Sequence, residues 1–217
     1  MAALKLAIGN KNYSSWSMRP WLALRANDIP FVETVIPLYT DQADKDKILA
    51  FSRAGKVPVL VDGDITVWDS LAIIEYLAEK FPDKKLWPAD RAARAHARAI
   101  SAEMHSGFAS LRNECGMNLD RPVGAVPLSQ ETRENIARVQ EIWSGCLQRY
   151  GGPFLFGAFS GADAMYGPVV HRFRTYAIEV SPVVRRYMEA MQAQPAFQQW
   201  TRDGLAETII IEKFETV

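Results

Sequence analysis

The sequence predicts an α/β domain followed by an all-helical domain. Strand and helix patterns alternate over residues 1–83, whereas over residues 92–217 apolar side chains recur only at helical spacing. A short polar stretch bounded by prolines, residues 84–91, separates the two patterns and is typical of a linker. A chain of 217 residues is long enough for two small domains that share an interface.

The first domain begins with a strand, a helix and a strand. Apolar and β-branched runs predict strands at Lys5–Ile8 and Phe31–Pro37, and a helix begins near Ser17 between them. This order implies a right-handed unit with two parallel strands. A short helix is predicted at Asp44–Phe51.

A hairpin and a helix complete the first domain. The runs Val57–Val61 and Ile65–Trp68 flank an Asp-Gly pair, which is a hairpin signal. Asp69 and Ser70 then offer a helix cap, and Pro82 ends the helix. The predicted order of elements is therefore β-α-β-α-β-β-α.

The second domain is predicted to be a helical bundle. Helices are predicted at Arg91–Asn118, Ser129–Tyr150, Ala164–Glu179, Pro182–Ala193 and Ala196–Asp203. Ser160 and Asp163 have the spacing of a capping box. The tail, Glu207–Val217, contains three consecutive isoleucines, and we expect it to fold back onto the body or onto a partner subunit.

Composition excludes several classes of function. The 25 lysines and arginines balance the 25 aspartates and glutamates, and without a basic run we expect no nucleic-acid partner. The three histidines lack ligand spacing, so no metal site is predicted. Cys115 and Cys146 are far apart and are typical of reduced thiols. We find no membrane span and no signal peptide, and we expect a cytoplasmic protein.

Two features of the stretch Gly55–Asp83 indicate a site for an amino-acid head group. If the bond between Val57 and Pro58 is cis, the main chain of Val57 points outward and can pair with an extended ligand. The helix N-terminus at Ser70 suits a carboxylate, and the side chain of Asp69 suits an ammonium group. Each feature alone also has a purely structural interpretation, as an edge proline and a helix cap.

A cluster of hydroxyl groups lies at the start of the first helix, within Tyr13–Arg19. A hydroxyl there can donate a hydrogen bond to a thiolate, and the helix dipole favours the same negative charge. Both effects lower a thiol pKa and favour its nucleophilic form. The residues alone leave open whether the serines only cap the helix, and Tyr13 is a further candidate hydroxyl.

The motifs VPVL and WDSLAIIEYLAEKFP, together with the hairpin between them, resemble the glutathione-binding half of the cytosolic glutathione transferases. The resemblance implies a thioredoxin-like first domain, glutathione as co-substrate and a homodimer. It also implies glutathione contacts, which we expect at Lys56, Val57, Pro58, Asp69 and Ser70. Glutamate is usual where this chain has Asp69. The segment FLFGAFSGAD resembles the second domain of the family, so the likeness covers nearly the whole chain.

The segment SSWSMR is similar to the SSCSWR-type motif of the zeta class, whose serine activates glutathione. Ser14 and Ser15 align with its two serines, and Trp16 stands in place of its cysteine. Ser15 precedes Arg19 by four residues, a spacing of theta-like members. We therefore expect Ser15 to be catalytic, with Ser14 as the alternative. No cysteine precedes Cys115, which argues against the omega and beta classes.

The resemblance implies a glutathione S-transferase that attacks a small apolar electrophile in a pocket between the domains. Alternatives are a zeta-like cis–trans isomerase of the maleylacetoacetate type and a non-catalytic ligand-binding module. The pocket wall is expected on the long second-domain helix, where the candidates are Met104, His105, Phe108 and Arg112.

Overall fold

A computed structural model describes residues 3–39 and 42–215 and contains an α/β domain packed against a helical domain. The strands of the first domain are β1 (Leu4–Ile8), β2 (Phe31–Val35), β3 (Val59–Asp62) and β4 (Ile65–Trp68). Its helices are α1 (Ser15–Ala26), α2 (Gln42–Phe51) and α3 (Ser70–Lys80). The predicted order of elements is confirmed.

The strands form one mixed sheet in the order β2-β1-β3-β4. β1 and β2 run parallel, whereas β3 is antiparallel to both of its neighbours. Successive residues of a strand face opposite sides of a sheet. The pair Leu6 and Leu60 accordingly joins the large core with α1 and α3, while the pair Ala7 and Val59 packs with Ile48 of α2.

The second domain consists of helices. They are α4 (Arg91–Ser106), α5 (Ala109–Glu114), α6 (Gln130–Tyr150), α7 (Gly161–Thr175), α8 (Pro182–Ala193) and α9 (Pro195–Leu205), with short 3₁₀ turns at Pro82–Lys84 and Glu212–Phe214. α7 is buried along almost its whole length and packs against both α1 and α4. A Cβ atom on Gly167 would lie 2.6 Å from Leu22 Cδ1, so glycine permits the close approach of α7 to α1. One apolar core therefore spans both domains.

The predicted helix Arg91–Asn118 is wrong, because the chain breaks it into α4 and α5. Gly107 caps the end of α4, and Phe108 adopts a left-handed conformation with a φ of 57°. The guanidinium of Arg112 donates hydrogen bonds to the carbonyl oxygens of Met104 and Gly107, which lack helical partners at this end. The break turns Phe108 into the core.

The tail folds back in part. The side chain of Ile211 is 5% exposed, whereas that of Ile210 is 71% exposed. The expected contact with the body is therefore confirmed for Ile211, and the last two residues of the tail lie outside the described residues.

The predicted capping box starts α7. The buried carboxylate of Asp163 accepts hydrogen bonds from the N–H of Leu155 at 3.0 Å, the N–H of Ser160 at 2.8 Å and the hydroxyl of Ser160 at 2.9 Å. Since α7 carries the contact between the domains, this carboxylate stabilises the whole fold.

We expect Asp163→Ala to lower the free energy of unfolding by about 3 kcal/mol, because it leaves three donors without an acceptor in the core. Urea denaturation measures the loss. A matched control is Ser129→Ala, which removes the hydroxyl that caps α6 by accepting from the N–H of Thr132 and that also bonds the carboxylate of Glu114; it is expected to cost about 1 kcal/mol. Equal losses in the two variants would contradict the role given to Asp163.

Candidate functional site

A cleft of about 890 Å³ opens beside the N-termini of α1 and α3 and reaches α4. Its walls come mostly from the loops of the first domain, and the residues that line it are Ser14, Trp16, Pro37, Leu38, Tyr39, Asp44, Lys45, Ile48, Ala54, Gly55, Lys56, Val57, Pro58, Trp68, Asp69, Ser70 and His105. Apart from Ser15, the structure therefore brings together every residue for which the sequence predicts catalysis or glutathione binding.

Ser14 is the serine of the first helix that lines the cleft, and Ser15 and Ser17 are not among the lining residues. Ser14 is the N-cap of α1, where its hydroxyl oxygen accepts from the N–H of Ser17 at 3.4 Å. The same hydroxyl donates to Ser17 Oγ at 2.8 Å, and Ser17 Oγ accepts from the N–H of Gly9 at 3.1 Å. The oxygen of Ser17 is therefore occupied, whereas a rotation about the side chain can turn the proton of Ser14 to a ligand.

The hydroxyl of Tyr13 is engaged away from the cleft. It donates to Glu215 Oε1 at 2.6 Å and accepts from the N–H of Ile211 at 3.4 Å. Burial, together with the hydrogen bond to the carboxylate, raises the pKa of Tyr13 above its ordinary value. Its proton is therefore held by the C-terminal segment.

The bond between Val57 and Pro58 is cis. The main-chain groups of Val57 make no hydrogen bond to the described residues, although Val57 lies only two positions before the first residue of β3. A main-chain donor and acceptor are thus available at the cleft beside Lys56.

The N-terminus of α3 forms another wall of the cleft. Asp69, with a φ of 77°, caps the helix, and its Oδ1 accepts from the N–H of Leu71 at 2.9 Å and of Ala72 at 3.2 Å. The hydroxyl of Ser70 is buried and has no hydrogen-bond partner among the described residues. A buried hydroxyl without a partner at a helix N-terminus suits an anionic ligand group.

His105 joins the two domains at this wall. Its Nε2 lies 2.6 Å from Asp69 Oδ2, and its ring packs edge-on to Trp16 with the ring centroids 5.4 Å apart. Burial raises the pKa of Asp69, but the hydrogen bond from His105 and the backbone N–H groups outweigh it, so the pKa is lower than the ordinary value. The sequence places His105 in a substrate pocket and carries no signal for its pairing with Asp69, because the two residues belong to different domains.

The other predicted pocket residues lie elsewhere. Met104 and Phe108 are buried in the core, and Arg112 binds main-chain carbonyl oxygens at the end of α4.

The guanidinium of Arg19 is buried 4.1 Å from the ring centroid of Trp16. Burial and the charges of other arginines lower the pKa of Arg19 to about 9.

The wall after β2 was missed by the sequence analysis. Residues 37–39 together with Lys45 line the cleft. The N–H of Leu38 donates to Asn10 Oδ1 at 2.8 Å, which ties this wall to the loop before Ser14. No local motif marks these residues, since they are recruited by packing.

Comparisons with known proteins agree with this architecture. The glutathione S-transferase N-terminal domain matches residues 13–80, and the glutathione S-transferase C-terminal domain matches residues 92–190. A probable maleylacetoacetate isomerase from Caenorhabditis elegans is 32% identical over 188 residues, which cover 85% of this chain and 87% of that protein. A zeta-class glutathione S-transferase from Euphorbia esula is 28% identical over 207 residues, covering 89% and 88% of the two chains.

The fold is also that of solved structures. The crystal structure of a glutathione transferase homologue from Burkholderia, with bound glutathione, superposes with a TM-score of 0.72 at 24% identity and covers 95% of this chain and 100% of that one. The chain therefore belongs to the glutathione S-transferase family and is a glutathione-dependent enzyme.

The described part of the chain contains neither a metal-binding cluster nor a membrane-spanning helix. Among residues 3–39 and 42–215, no group of three or more metal-ligating side chains is close enough to hold an ion. Within the same ranges, no helix has the length and apolar character needed to cross a bilayer.

The low pKa of Asp69 predicts a pH dependence of stability. Because the folded pKa lies below the ordinary 3.8, Asp69 contributes stability above that pH, and the contribution is lost as the pH falls through the folded pKa. We expect the unfolding free energy of Asp69→Asn to fall less steeply than that of the wild type between about pH 5 and pH 2. Urea denaturation over this range provides the comparison.

Asp64→Asn is the control for this series, because Asp64 is exposed in the turn between β3 and β4. It should follow the wild-type curve. Parallel curves for the wild type and Asp69→Asn would show that the contacts of Asp69 do not favour its charged form.

Proposed function

We propose that this enzyme conjugates glutathione to a small electrophile and that Ser14 stabilises the glutathione thiolate. The observation that carries the proposal is the position of Ser14, which lines one cleft with Val57 and Ser70. Ser15 was the expected serine, but it is not among the residues that line this cleft. The proposal therefore assigns the activating hydroxyl to Ser14.

The polar groups of glutathione match the polar groups of the cleft. An extended cysteinyl unit pairs with the main chain of Val57, in the manner of a short β-ladder. The γ-glutamyl carboxylate accepts from the hydroxyl of Ser70 and from the N-terminus of α3. Its ammonium group binds Asp69, and Lys45 and Lys56 supply positive charge for the glycyl carboxylate.

The thiolate is favoured by two features at the start of α1. The helix has a positive dipole end at this point, and it carries no acidic residue in its first turn that would oppose a negative charge. The hydroxyl of Ser14 adds one hydrogen bond to the anion, worth about 1.5–3 kcal/mol. Both contributions lower the thiol pKa, and the thiolate is the form that attacks an electrophile.

We expect Ser14→Ala to raise the thiol pKa of bound glutathione by about 1–2 units, since one unit corresponds to about 1.4 kcal/mol. Titration of the thiolate absorbance in the enzyme–glutathione complex measures the shift. Ser15→Ala is the matched control and should titrate like the wild type. A shift in Ser15→Ala alone would move the role to Ser15, and no shift in either variant would end the serine mechanism.

Isomerisation of a conjugated diacid is the second candidate, and the likeness to a probable maleylacetoacetate isomerase favours it. In that reaction the thiolate adds to a double bond, the carbon–carbon bond rotates, and the thiolate leaves again. A diacid also needs cationic groups near the thiol. Arg112 does not line the cleft, and its guanidinium lies behind it, 5.4 Å from the ring centroid of the lining residue Trp16. By the resemblance, Trp16 also stands in place of the zeta-class cysteine. These two observations favour conjugation over isomerisation.

A panel of substrates separates the two reactions. The purified enzyme is assayed with glutathione against an aryl halide, an organic hydroperoxide and a maleyl diacid. We expect conjugation of the aryl halide, with a kcat/KM that falls in Ser14→Ala. Turnover of the diacid without turnover of the aryl halide would replace the first candidate with the second.

We also propose a cytoplasmic homodimer. The strand β4 lies at an edge of the sheet, and its Ile65 is 51% exposed, so this edge offers main-chain and apolar groups to a second copy of the chain. The two cysteines of the chain are buried and unpaired, as in a reducing compartment. Light scattering at micromolar concentration should give twice the chain mass of 24.3 kDa, and a monomer mass would refute the dimer.

A further inference from the structure

The C-terminal segment of the chain contacts the loop that precedes Ser14. We call residues Glu207–Glu215 the strap. The carboxylate of Glu207 accepts two main-chain hydrogen bonds from this loop, from the N–H of Lys11 at 2.7 Å and from the N–H of Asn12 at 3.1 Å. A carboxylate that binds two adjacent N–H groups makes charge-assisted hydrogen bonds and fixes the orientation of both peptide units.

The far end of the strap holds the next residue of the loop. The phenol of Tyr13 donates to Glu215 and accepts from the N–H of Ile211, and its ring stacks on that of Phe214 with centroids 5.6 Å apart. Glu215 also accepts from Asn118 Nδ2 at 3.0 Å, which connects this end of the strap to the second domain.

The strap also contacts the wall of the cleft that follows β2. The ring of Phe214 packs edge-on to that of Tyr39, with centroids 5.7 Å apart, and Tyr39 lines the cleft. Leu38, its neighbour in the same wall, donates its N–H to Asn10 of the loop. Phe214 therefore lies between Tyr13 of the loop and Tyr39 of the wall.

Because the loop ends at Ser14, a displacement of its main chain also displaces Ser14. The N–H groups of Tyr13 and Ser14 both donate to the carbonyl oxygen of Asn10, at 3.2 and 2.8 Å, so the loop is a tight turn that ends at Ser14. The side chain of Lys11 is held separately, by ion pairs with Glu33 and Asp203. The strap is thus the part of this network that binds the main chain of the turn.

We propose that the strap positions the catalytic hydroxyl, with Glu207 and Glu215 as positioning residues that act through the loop. The inference rests on the proposed role of Ser14 and adds a requirement for the C-terminal segment. Neither glutamate lines the cleft, so neither touches a ligand there. Both control where the Ser14 hydroxyl lies relative to the cis-proline loop on the other side of the thiol.

Three isosteric variants test the proposal. They are comparable because each removes one negative charge from the same segment. They are Glu207→Gln, Glu215→Gln and the control Glu212→Gln. Glu212 is exposed, and its carboxylate makes no hydrogen bond or ion pair with the described residues. The measurements are kcat, the KM for glutathione, the thiol pKa of the glutathione complex, the thermal midpoint and the amide hydrogen exchange of residues 10–14.

Glu207→Gln is expected to lower kcat about 10-fold, as small displacements of a catalytic group do, and to raise the thiol pKa. Its KM for glutathione should stay within about twofold of the wild type, because the contacts at Val57, Asp69 and Ser70 are untouched. The amides of Tyr13 and Ser14 should exchange faster, although neither binds Glu207. Glu215→Gln should change the same quantities, and Glu212→Gln should change none.

A lower thermal midpoint with unchanged kcat, thiol pKa and exchange at Ser14 would overturn the inference, since the strap would then have a structural role only. If Glu207→Gln does not fold, Phe214→Ala provides the same measurements without altering a charge. If the wild type binds no glutathione, the proposed function fails, and hydrogen exchange at Tyr13 and Ser14 still decides whether the strap orders the loop.

Discussion

The close packing of α7 against α1 is the contact on which the site depends. Gly167 lets the two helices approach until Leu22 fills the space that a side chain would occupy. This contact belongs to an apolar core shared by both domains, so the N-terminus of α1 has a defined position relative to α4. The cleft forms where the two domains meet, and Ser14 of the first domain and His105 of the second both line it.

Polar groups at the edge of that core serve both the fold and the site. The carboxylate of Asp69 caps α3 with one oxygen and binds His105 with the other, so the same side chain ends a helix and links the domains. Ser70, its neighbour, keeps a buried hydroxyl that has no partner among the described residues. A donor of this kind is costly in a folded protein, and the carboxylate of glutathione proposed to bind here would supply its acceptor.

Both domains contribute to the cleft, but unequally. The groups proposed to bind glutathione come from the first domain, whereas the second domain contributes His105 to the same cleft. Trp16 separates that cleft from the buried charge of Arg19. Because His105 binds Asp69, a change of residue at this second-domain position also affects a group proposed to hold glutathione.

Much of the fold and part of the site were predictable from local sequence. The hairpin and the caps at Asp69 and Ser160 depend on neighbouring residues, so their patterns are visible in a short window. The cis bond before Pro58 was only a condition at that level, and the structure contains it. The prediction of one continuous helix over Arg91–Asn118 was wrong because the local pattern does not show the break. Its apolar spacing continues through Gly107, and only the position of Phe108 in the core shows that the chain turns there.

The sequence by itself determined the order of the elements and, through its motifs, the family. It also predicted which residues of the cis-proline loop and of the start of α3 contact glutathione. Each of these inferences depends on side chains that are adjacent in the chain. Only the tertiary structure decided which hydroxyl lines the cleft. Ser14 and Ser15 are neighbours with the same chemistry, but Ser14 is the N-cap of α1 and lines the cleft, whereas Ser15 is the first residue of the helix and does not. The pairing of Asp69 with His105 and the contacts of the strap likewise join residues far apart in the chain, and such contacts follow from the packing of the domains.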